Sequence, residues 1–232
     1  PVLLEDLVRE QGPIDGLIIA SPSNPTGTII DSVGMAELCS YCSDNGIRLI
    51  SDEIYHGITY ESQAVSALEF DDNAFIINSF SKYFSMTGWR LGWMVVPEDL
   101  IRAVECLAQN LFISAPTLSQ IAGVAAFNCY VELEENVAKY AANRSLLLKQ
   151  LPKAGFNRLA PADGAFYIYA DVAELTNDSL EFCRRILNET GVAITPGIDF
   201  DPDRGNRYVR FSFAASHEEV TGATNALIDW SS

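Results

Sequence analysis

Positive charge is scarce in this sequence of 232 residues. It holds 15 lysine and arginine residues against 31 aspartate and glutamate residues, which gives a formal net charge of −16 at pH 7. So acidic a chain argues against a nucleic-acid backbone or an anionic membrane as its main partner. A small anionic ligand stays possible, because the field inside a pocket depends on a few neighbouring groups.

Long apolar segments and a regular cysteine framework are also missing. No run of about 18 apolar residues occurs, and no basic segment followed by an apolar stretch opens the chain, so no membrane span is predicted. The five cysteines are odd in number and scattered, which does not suit a disulfide framework and favours a reducing compartment. We therefore expect a soluble, cytoplasmic protein.

An initiator methionine is the last absence. The chain begins Pro1-Val2-Leu3-Leu4 and soon enters an apolar segment with the character of a buried strand. We therefore expect an incomplete chain. Hydrophobic residues make up 48% and charged residues 20%, which is typical of a folded protein, and the length suffices for one large domain or two modest ones.

Three short apolar runs predict parallel strands. They are Gly16–Ala20, Ile47–Ile50 and Ala74–Ile77, and apart from Arg48 their residues are apolar without alternation, as in strands covered on both faces. Between the first two runs we predict a helix with Asp31 as its N-cap and Gly46 just after its end. Strand, helix and strand in this order imply a right-handed crossover and a parallel sheet.

The second half of the chain has a different pattern. A helical stretch from about Glu98 to Gln150, with a break predicted at Pro116, is followed by candidate strands at Ala165–Ala170 and Val192–Thr195. Tyr208–Phe213 alternates apolar and polar residues, as a strand with one buried face does.

These patterns define the predicted fold. We expect an α/β protein with a mostly parallel sheet flanked by helices, followed by a smaller C-terminal α/β domain. The large domain would cover residues 1–130 and the small domain residues 131–232.

Polar side chains follow each apolar run at its carboxyl end, which is the edge where open α/β sheets bind ligands. They offer an amide, a carboxylate, a phenol, a hydroxyl, an amine and a guanidinium, in the order Asn24, Asp52, Tyr55, Ser79, Lys82 and Arg90. Pyridoxal 5′-phosphate (PLP) needs this combination of groups.

Each group has a physical role toward PLP. A lysine amine forms a Schiff base with the cofactor aldehyde, and the substrate amine then displaces it. A carboxylate beside the pyridine nitrogen raises the pKa of that nitrogen, so the ring stays protonated and accepts electrons. Hydroxyl and guanidinium donors suit phosphate oxygens, and a phenol or an amide suits the ring's 3′ oxygen.

Four short motifs in this order resemble the class I and II aminotransferases of PLP fold type I. They are Ser23–Gly27, Ser51–Tyr55, Ser79–Lys82 and Thr87–Gly92, each at a predicted strand end or in the loop after it. The resemblance extends from about residue 10 to the C-terminus. It implies that the large domain is part of a PLP-binding domain.

The resemblance also implies cofactor roles for individual residues. Lys82 would form the internal aldimine and then shuttle a proton between the substrate Cα and the cofactor carbon. Asp52 would pair with the pyridinium nitrogen, and Tyr55 would bond to the 3′ oxygen; with Lys82 they make up the predicted catalytic set. Ser79 and Arg90 would bind the phosphate.

Substrate binding is implied for two residues. Arg210, on the polar face of the predicted strand Tyr208–Phe213, matches the arginine that clamps the substrate α-carboxylate in this family. Asn24 would contact both the 3′ oxygen and the substrate. The expected substrates are an amino acid and a 2-oxo acid, and the expected assembly is a homodimer.

Simpler interpretations exist for single residues. Lys82 alone is compatible with an exposed lysine, Asp52 with a helix cap and Asn24 with a turn; only the joint pattern favours a cofactor site. Cys39 and Cys42 form a C-x-x-C spacing inside the predicted helix, where core packing is favoured over zinc or redox chemistry. With two histidines in the chain, no metal site is predicted.

Three functions remain open at this level. The first is a PLP-dependent aminotransferase, the second a PLP-dependent carbon–sulfur lyase of the same fold, and the third a non-catalytic PLP-fold sensor domain of a transcription regulator. The resemblance also implies that the ring-stacking aromatic residue and the phosphate-binding turn of the family precede this chain. For the chain alone we therefore expect weak PLP binding and little or no turnover.

Overall fold

The computed structural model describes residues 2–231. Pro1 and Ser232 lie outside the described residues, so the prediction made from the start of the chain at Pro1 is not addressed by them. The chain forms two compact units. The first contains the chain up to Pro22 together with Ile29–Leu133, and the second contains Ser23–Thr28 together with the chain from Glu134. The domain boundary between residues 130 and 131 stays a prediction.

A four-stranded sheet organises the first unit. Its strands, in sheet order, are β1 (Gly16–Ala20), β2 (Arg48–Asp52), β3 (Phe75–Ser79) and β4 (Gly92–Val95). The first three run parallel, as predicted, and β4 is antiparallel to β3. Because Ala20 pairs with Asp52, and Asp52 with Ile77, the carboxyl ends of the parallel strands meet at one edge of the sheet.

Helices connect and flank these strands. They are α1 (Val2–Gln11), α2 (Ser32–Asp44), α3 (Ile101–Leu111), α4 (Thr117–Ala126) and α5 (Tyr130–Gln150), the last of which continues into the second unit. The predicted ends of α2 are confirmed: the Asp31 side chain accepts a hydrogen bond of 2.7 Å from the Gly34 amide, and Gly46 follows the helix at φ +67°. Pro116 is the N-cap of α4, at the predicted break.

One face of this sheet carries the core of the first unit. Side chains from α1, α2, the strands and a short 3-10 helix (Ala67–Glu69) bury one another there: Leu4, Met35, Cys39, Cys42, Ile47, Leu49, Ala67, Ala74 and Ile76. Ile18 in β1 is 72% exposed, and every residue of β4 is exposed. The prediction that the strands are covered on both faces is therefore wrong for the described residues, since α1 and α2 supply apolar cover to one face.

The second unit contains an antiparallel sheet. In sheet order its strands are β5 (Arg158–Leu159), β6 (Tyr167–Asp171), β8 (Tyr208–Ser212) and β7 (Thr195–Pro196), and its further helices are α6 (Ser179–Thr190) and α7 (His217–Ser231). The overall α/β prediction is confirmed.

Two predicted strands of this unit are shorter than expected. Ala165 has φ +56°, a left-handed conformation that a strand does not allow, so β6 begins two residues later, at Tyr167. The Val192 amide donates to the Thr190 hydroxyl at 3.1 Å, which continues the turn after α6 and delays β7 until Thr195.

The alternation of Tyr208–Phe213 is confirmed. Val209, Phe211 and Phe213 are buried, whereas Arg210 on the opposite face is half-buried. This arrangement directs the Arg210 side chain away from the apolar core of the second unit. In residues 2–231, no helix has both the length and the apolarity that crossing a membrane requires.

Candidate active site

Lys82 lies just beyond the carboxyl edge of the first sheet. It follows the end of β3 by three residues, and its Nζ lies 5.6 Å from the centroid of the Tyr55 ring. Tyr55 is buried, three residues after the end of β2. The structure therefore brings together two of the predicted site residues, an amine and a phenol.

Asp52 ends β2 and is half-buried. Its Oδ1 accepts a hydrogen bond of 3.1 Å from the Ile54 amide, which orients the carboxylate. The other oxygen takes no hydrogen bond from the residues that the structure describes, so it has capacity for a donor on a ligand.

Glu53 is a buried carboxylate that the sequence interpretation missed. It is 2% exposed, and its Oε1 accepts hydrogen bonds from the Ser66 hydroxyl at 3.1 Å and the Ala67 amide at 2.9 Å. Its Oε2 lies 3.4 Å from Nδ1 of His56. Since a buried carboxylate needs such partners, Glu53 ties the end of β2 to the loop at residue 66 and so holds the neighbouring Asp52. No sequence signal distinguishes Glu53 from an exposed acid beside Asp52.

His56 is mostly buried next to this carboxylate. Burial lowers the pKa of His56 below its ordinary value, and the nearby Glu53 carboxylate opposes that shift only in part. The neutral imidazole is therefore the favoured form in the folded protein.

The predicted phosphate ligands occupy one compact segment. The Ser79 hydroxyl donates to the Leu91 carbonyl at 3.4 Å and accepts from the Ser81 amide at 3.0 Å. Arg90 has the left-handed angles φ 51° and ψ 49°, and its Nη1 donates to the Thr87 carbonyl at 3.0 Å. Arg90 is exposed and forms no ion pair with any described residue, so its guanidinium keeps donors for an anion.

Aromatic anchors hold the chain on both sides of Lys82. The Phe80 ring packs at centroid distances of 4.8 Å from Phe84, 5.1 Å from Trp93 and 5.5 Å from Phe127. On the other side, Tyr83 lies against Gly57 so closely that a Cβ on Gly57 would come within 2.3 Å of Cγ of the Tyr83 ring. The lysine therefore projects from a backbone that packing has fixed.

Arg210 and Asn24 meet in the second unit. Nη1 of Arg210 donates to Oδ1 of Asn24 at 2.7 Å, and Nη2 donates to the Thr195 hydroxyl at 3.3 Å. No carboxylate of the described chain forms an ion pair with Arg210, although the protein is strongly acidic. A half-buried guanidinium without a counter-ion favours binding of an anionic ligand.

A close backbone contact places Asn24 in that unit. Gly27 has φ +68°, and a Cβ there would lie 2.9 Å from both Cα of Ala162 and the carbonyl oxygen of Gly164. The Gly164 amide donates to the Gly27 carbonyl at 2.8 Å. The loop of residues 23–28 is thus held against the residues before β6, which carries Asn24 to Arg210.

The predicted site residues therefore fall into two sets. Those of the first unit are Asp52, Tyr55, Ser79, Lys82 and Arg90, and those of the second are Asn24 and Arg210. The first set carries the groups that PLP needs: an amine, a carboxylate with an open oxygen, and a guanidinium with donors for the phosphate. The Ser79 hydroxyl would bind the phosphate by redirecting the hydrogen that it donates to the Leu91 carbonyl at 3.4 Å. Among residues 2–231, no three histidine, cysteine, aspartate or glutamate side chains cluster as metal ligands would.

Comparison with solved structures defines the fold class. The chain resembles an aminotransferase from Mycobacterium tuberculosis with a TM-score of 0.93 and 50% identity, over 97% of this chain and 59% of that one. It resembles the aspartate aminotransferase from Thermus thermophilus with a TM-score of 0.86 and 30% identity, over 93% and 56% of the two chains. The fold is therefore that of PLP enzymes of fold type I.

Comparison of sequences defines the family. Residues 2–227 match the family described as aminotransferase class I and II. The chain is 51% identical over 222 residues to valine–pyruvate aminotransferase of Mycobacterium tuberculosis, and 42% identical over 209 residues to (5-formylfuran-3-yl)methyl phosphate transaminase of Methanocaldococcus jannaschii. These alignments cover 94% and 88% of this chain, but 57% and 54% of the relatives. The chain belongs to the class I and II aminotransferases, whose members depend on PLP.

Proposed function

We propose that this chain provides the lysine site of a PLP-dependent aminotransferase, which moves an amino group between an L-amino acid and a 2-oxo acid. The observation that carries the proposal is the Lys82 amine over the buried Tyr55 ring, at the sheet edge that also bears Asp52. Family membership supports it, and the names of the relatives favour neither the lyase nor the sensor alternative.

The first unit would hold the cofactor. Ser79 and Arg90 would bind the phosphate, Tyr55 the 3′ oxygen, and the open oxygen of Asp52 the ring nitrogen. Bound PLP supplies an electron sink for the negative charge that develops at the substrate Cα. Lys82 Nζ would accept the Cα proton and donate it to the cofactor carbon, which requires the amine to be held in place; the anchored backbone on both sides of Lys82 supports that role.

The second unit would bind the substrate carboxylate. Arg210 offers a guanidinium that no carboxylate of residues 2–231 neutralises, and Asn24 offers an amide beside it. Such a pair suits an α-amino acid and its 2-oxo acid. Because the relative at 51% identity is named for valine and pyruvate, an aliphatic donor with pyruvate is the first pair to test.

A mass-spectrometric experiment tests the cofactor site. The protein is incubated with PLP, reduced with borohydride and digested; we expect a cofactor-sized adduct on Lys82 and none in Lys82→Arg. The matched control, Lys153→Arg, changes a lysine of the second unit, in the short 3-10 helix after α5 (Leu151–Ala154), and should keep the adduct. An adduct on another lysine, or none in the protein as its gene encodes it, contradicts the proposal.

Product analysis separates the possible reactions. Valine with pyruvate should yield alanine and the corresponding 2-oxo acid, whereas a carbon–sulfur lyase would release pyruvate from cysteine conjugates. Weak PLP binding and little turnover by this chain alone stay predictions, and the same assays on the chain and on the protein as its gene encodes it test them.

We also propose a second copy of the chain as partner, and a cytoplasmic location. Large apolar side chains on α3, on α4 and in the turn between them are at least 61% exposed: Leu107, Leu111, Phe112, Ile113, Leu118, Ile121 and Val124. Ile113 has φ +68°, an unfavourable conformation for a β-branched residue, which often marks functional surface. Sedimentation of the protein and of Leu111→Ser tests the dimer: the variant should dissociate, and a monomeric parent would contradict the proposal.

The proposed cytoplasmic location is supported by the cysteines. All five are free, which suits a reducing compartment.

A further inference from the structure

The Arg210 guanidinium lies over two aromatic rings. Its Cζ is 4.2 Å from the centroid of the Tyr167 ring and 4.7 Å from that of Phe200. Arg185, by comparison, lies 5.6 Å from Phe182 and 5.0 Å from Trp230. Both rings therefore contact Arg210 within the range where the quadrupole of a ring attracts a cation.

These contacts replace the carboxylate that a half-buried arginine often pairs with. Nη1 and Nη2 each donate to one neutral oxygen, of Asn24 and Thr195, and Nε is buried without a hydrogen-bond partner in the described part of the chain. A buried donor left unpaired is unfavourable, so the surroundings must impose this position on the side chain. The two rings, together with the Asn24 amide and the Thr195 hydroxyl, can do so without adding a negative charge.

Tyr167 is placed by the second sheet. It begins β6 and pairs with Ser212 of β8, in the register that sets Tyr169 opposite Arg210. Side chains two residues apart on a strand share a face, so Tyr167 and Arg210 are diagonal neighbours on the same side of the sheet. Tyr167 is 6% exposed, which leaves its ring little freedom.

Phe200 is placed by a tight loop. A Cβ on Gly197 would lie 2.5 Å from the Gly205 carbonyl oxygen, and one on Gly205 would lie 2.3 Å from that of Gly197, so the two backbones touch. The Phe200 amide donates to the Gly197 carbonyl at 2.9 Å, and the Asp201 carboxylate accepts from the Arg204 amide at 2.9 Å. The contact between Gly197 and Gly205 holds the two ends of the loop together, and the hydrogen bonds within the loop fix its conformation. The Phe200 ring therefore lies against Arg210.

We propose that Tyr167 and Phe200 are positioning residues: they hold the Arg210 guanidinium ready for a substrate carboxylate without competing for its charge. This inference rests on the proposed function of Arg210. Bidentate recognition of a carboxylate needs the guanidinium plane in one orientation. A side chain that is already ordered loses less entropy on binding, and a ring face offers no anionic oxygen that the substrate would have to displace.

The test measures carboxylate binding in the PLP-loaded protein as its gene encodes it. The probe is 3-methylbutanoate, an unreactive monocarboxylate, and its dissociation constant is determined by calorimetry. For Phe200→Leu and Tyr167→Leu we expect that constant to rise about ten-fold, close to the loss of one favourable cation–ring contact. Phe200→Tyr and Tyr167→Phe keep a ring face and should stay within about two-fold of the parent protein.

Steady-state kinetics distinguish positioning from general damage. The leucine variants should raise KM for the amino donor about as much as they weaken the probe, with kcat changed by less than about three-fold. Trp230→Leu is the matched control, since it removes a ring from over Arg185, 5.0 Å away; it should leave both quantities unchanged.

Two results would contradict the positioning role of Tyr167 and Phe200, and a third would contradict the proposed role of Arg210. If the parent protein binds the probe and both leucine variants bind it equally well, the rings do not position Arg210. If Trp230→Leu weakens the probe as much as they do, the effect is general destabilisation and the inference again fails. A parent protein that binds no monocarboxylate would contradict the proposed role of Arg210 itself. Should Tyr167→Leu not fold, comparison of Phe200→Leu with Phe200→Tyr still decides whether a ring face positions Arg210.

Discussion

Arg210 and Asn24, 186 residues apart in the sequence, are joined by a hydrogen bond of 2.7 Å from Nη1 to Oδ1. The acceptor is a neutral amide, so the arginine keeps its charge for a ligand. Had the partner been a carboxylate, the guanidinium would already be neutralised. The identity of residue 24 therefore bears on whether Arg210 can bind an anion.

Substitution of Asn24 tests this relationship. Asn24→Ala removes one hydrogen bond and should raise KM for the amino donor about five-fold, as expected for a net contribution near 1 kcal/mol. Asn24→Asp adds a competing carboxylate and should raise KM further, by at least about ten-fold. Steady-state kinetics compare the two, and equal effects of Ala and Asp would contradict the competition argument.

Gly27→Ala should be strongly destabilising. At φ +68° the new Cβ would be strained and would also lie 2.9 Å from backbone atoms of Ala162 and Gly164. Gly46→Ala is the matched control, because Gly46 has φ +67° but no atom of residues 2–231 lies within 4 Å of the added Cβ. We expect losses of about 3 kcal/mol and about 1 kcal/mol, respectively. Thermal melts of both variants provide the comparison, and similar melting temperatures would show that the contact is unimportant.

Gly57→Ala should disturb Lys82 through its neighbour. A Cβ at Gly57 would lie 2.3 Å from Cγ of the Tyr83 ring, so Tyr83 must move, and Lys82 is joined to it directly. Formation of the borohydride-reducible adduct at Lys82 should slow about ten-fold, since small displacements of a reacting group are costly. Gly222→Ala, where the added Cβ meets no atom of the described residues within 4 Å, serves as control. An unchanged rate in Gly57→Ala would mean that Tyr83 does not set the lysine position.

Stability should fall as the pH is lowered toward and below 6.5. Burial lowers the pKa of His56 in the folded protein below its ordinary 6.5, so between these two values the unfolded chain binds more protons than the folded one. Unfolding then becomes easier as the pH falls through that window, and this contribution levels off below the folded pKa. Melting temperatures at pH 7.5 and 5.5 should differ more in the parent protein than in His56→Gln. Parallel pH profiles would contradict the assignment.

Thiol labelling should divide the cysteines into two groups. Burial raises the pKa of Cys39 to about 11 and that of Cys183 to about 12, and it raises the pKa of Cys42 as well. Cys106 and Cys129 are only partly buried. With iodoacetamide near pH 8 the latter two should react quickly, and the other three only after unfolding, because the thiolate is the nucleophile. Peptide mapping of the native protein reads this out; fast labelling of Cys183 would contradict its burial.

Local structure was largely predictable from the sequence. The strands β1 to β3, the Asp31 cap, the stop at Gly46 and the alternating face that carries Arg210 are all confirmed. Each depends on residues within one element, where periodicity and capping chemistry act over a few positions. The late start of β6 was not predictable, since the left-handed turn at Ala165 occurs at a residue with no preference for it.

The sequence by itself determined the family and the chemical groups of the site: an amine, a carboxylate, a phenol, an amide, a hydroxyl and two guanidiniums, in motifs of recognisable order. Only the tertiary structure decided which of these groups meet. It placed the loop of Asn24 in the same unit as Arg210, where the two side chains are hydrogen-bonded. It buried Glu53, the neighbour of Asp52. It also placed the rings of Tyr167 and Phe200 against the Arg210 guanidinium. The physical reason is the distance along the chain over which each effect acts. Propensity and periodicity act between neighbours, whereas these contacts arise when chain closure and packing bring distant segments together, and local spacing does not encode that.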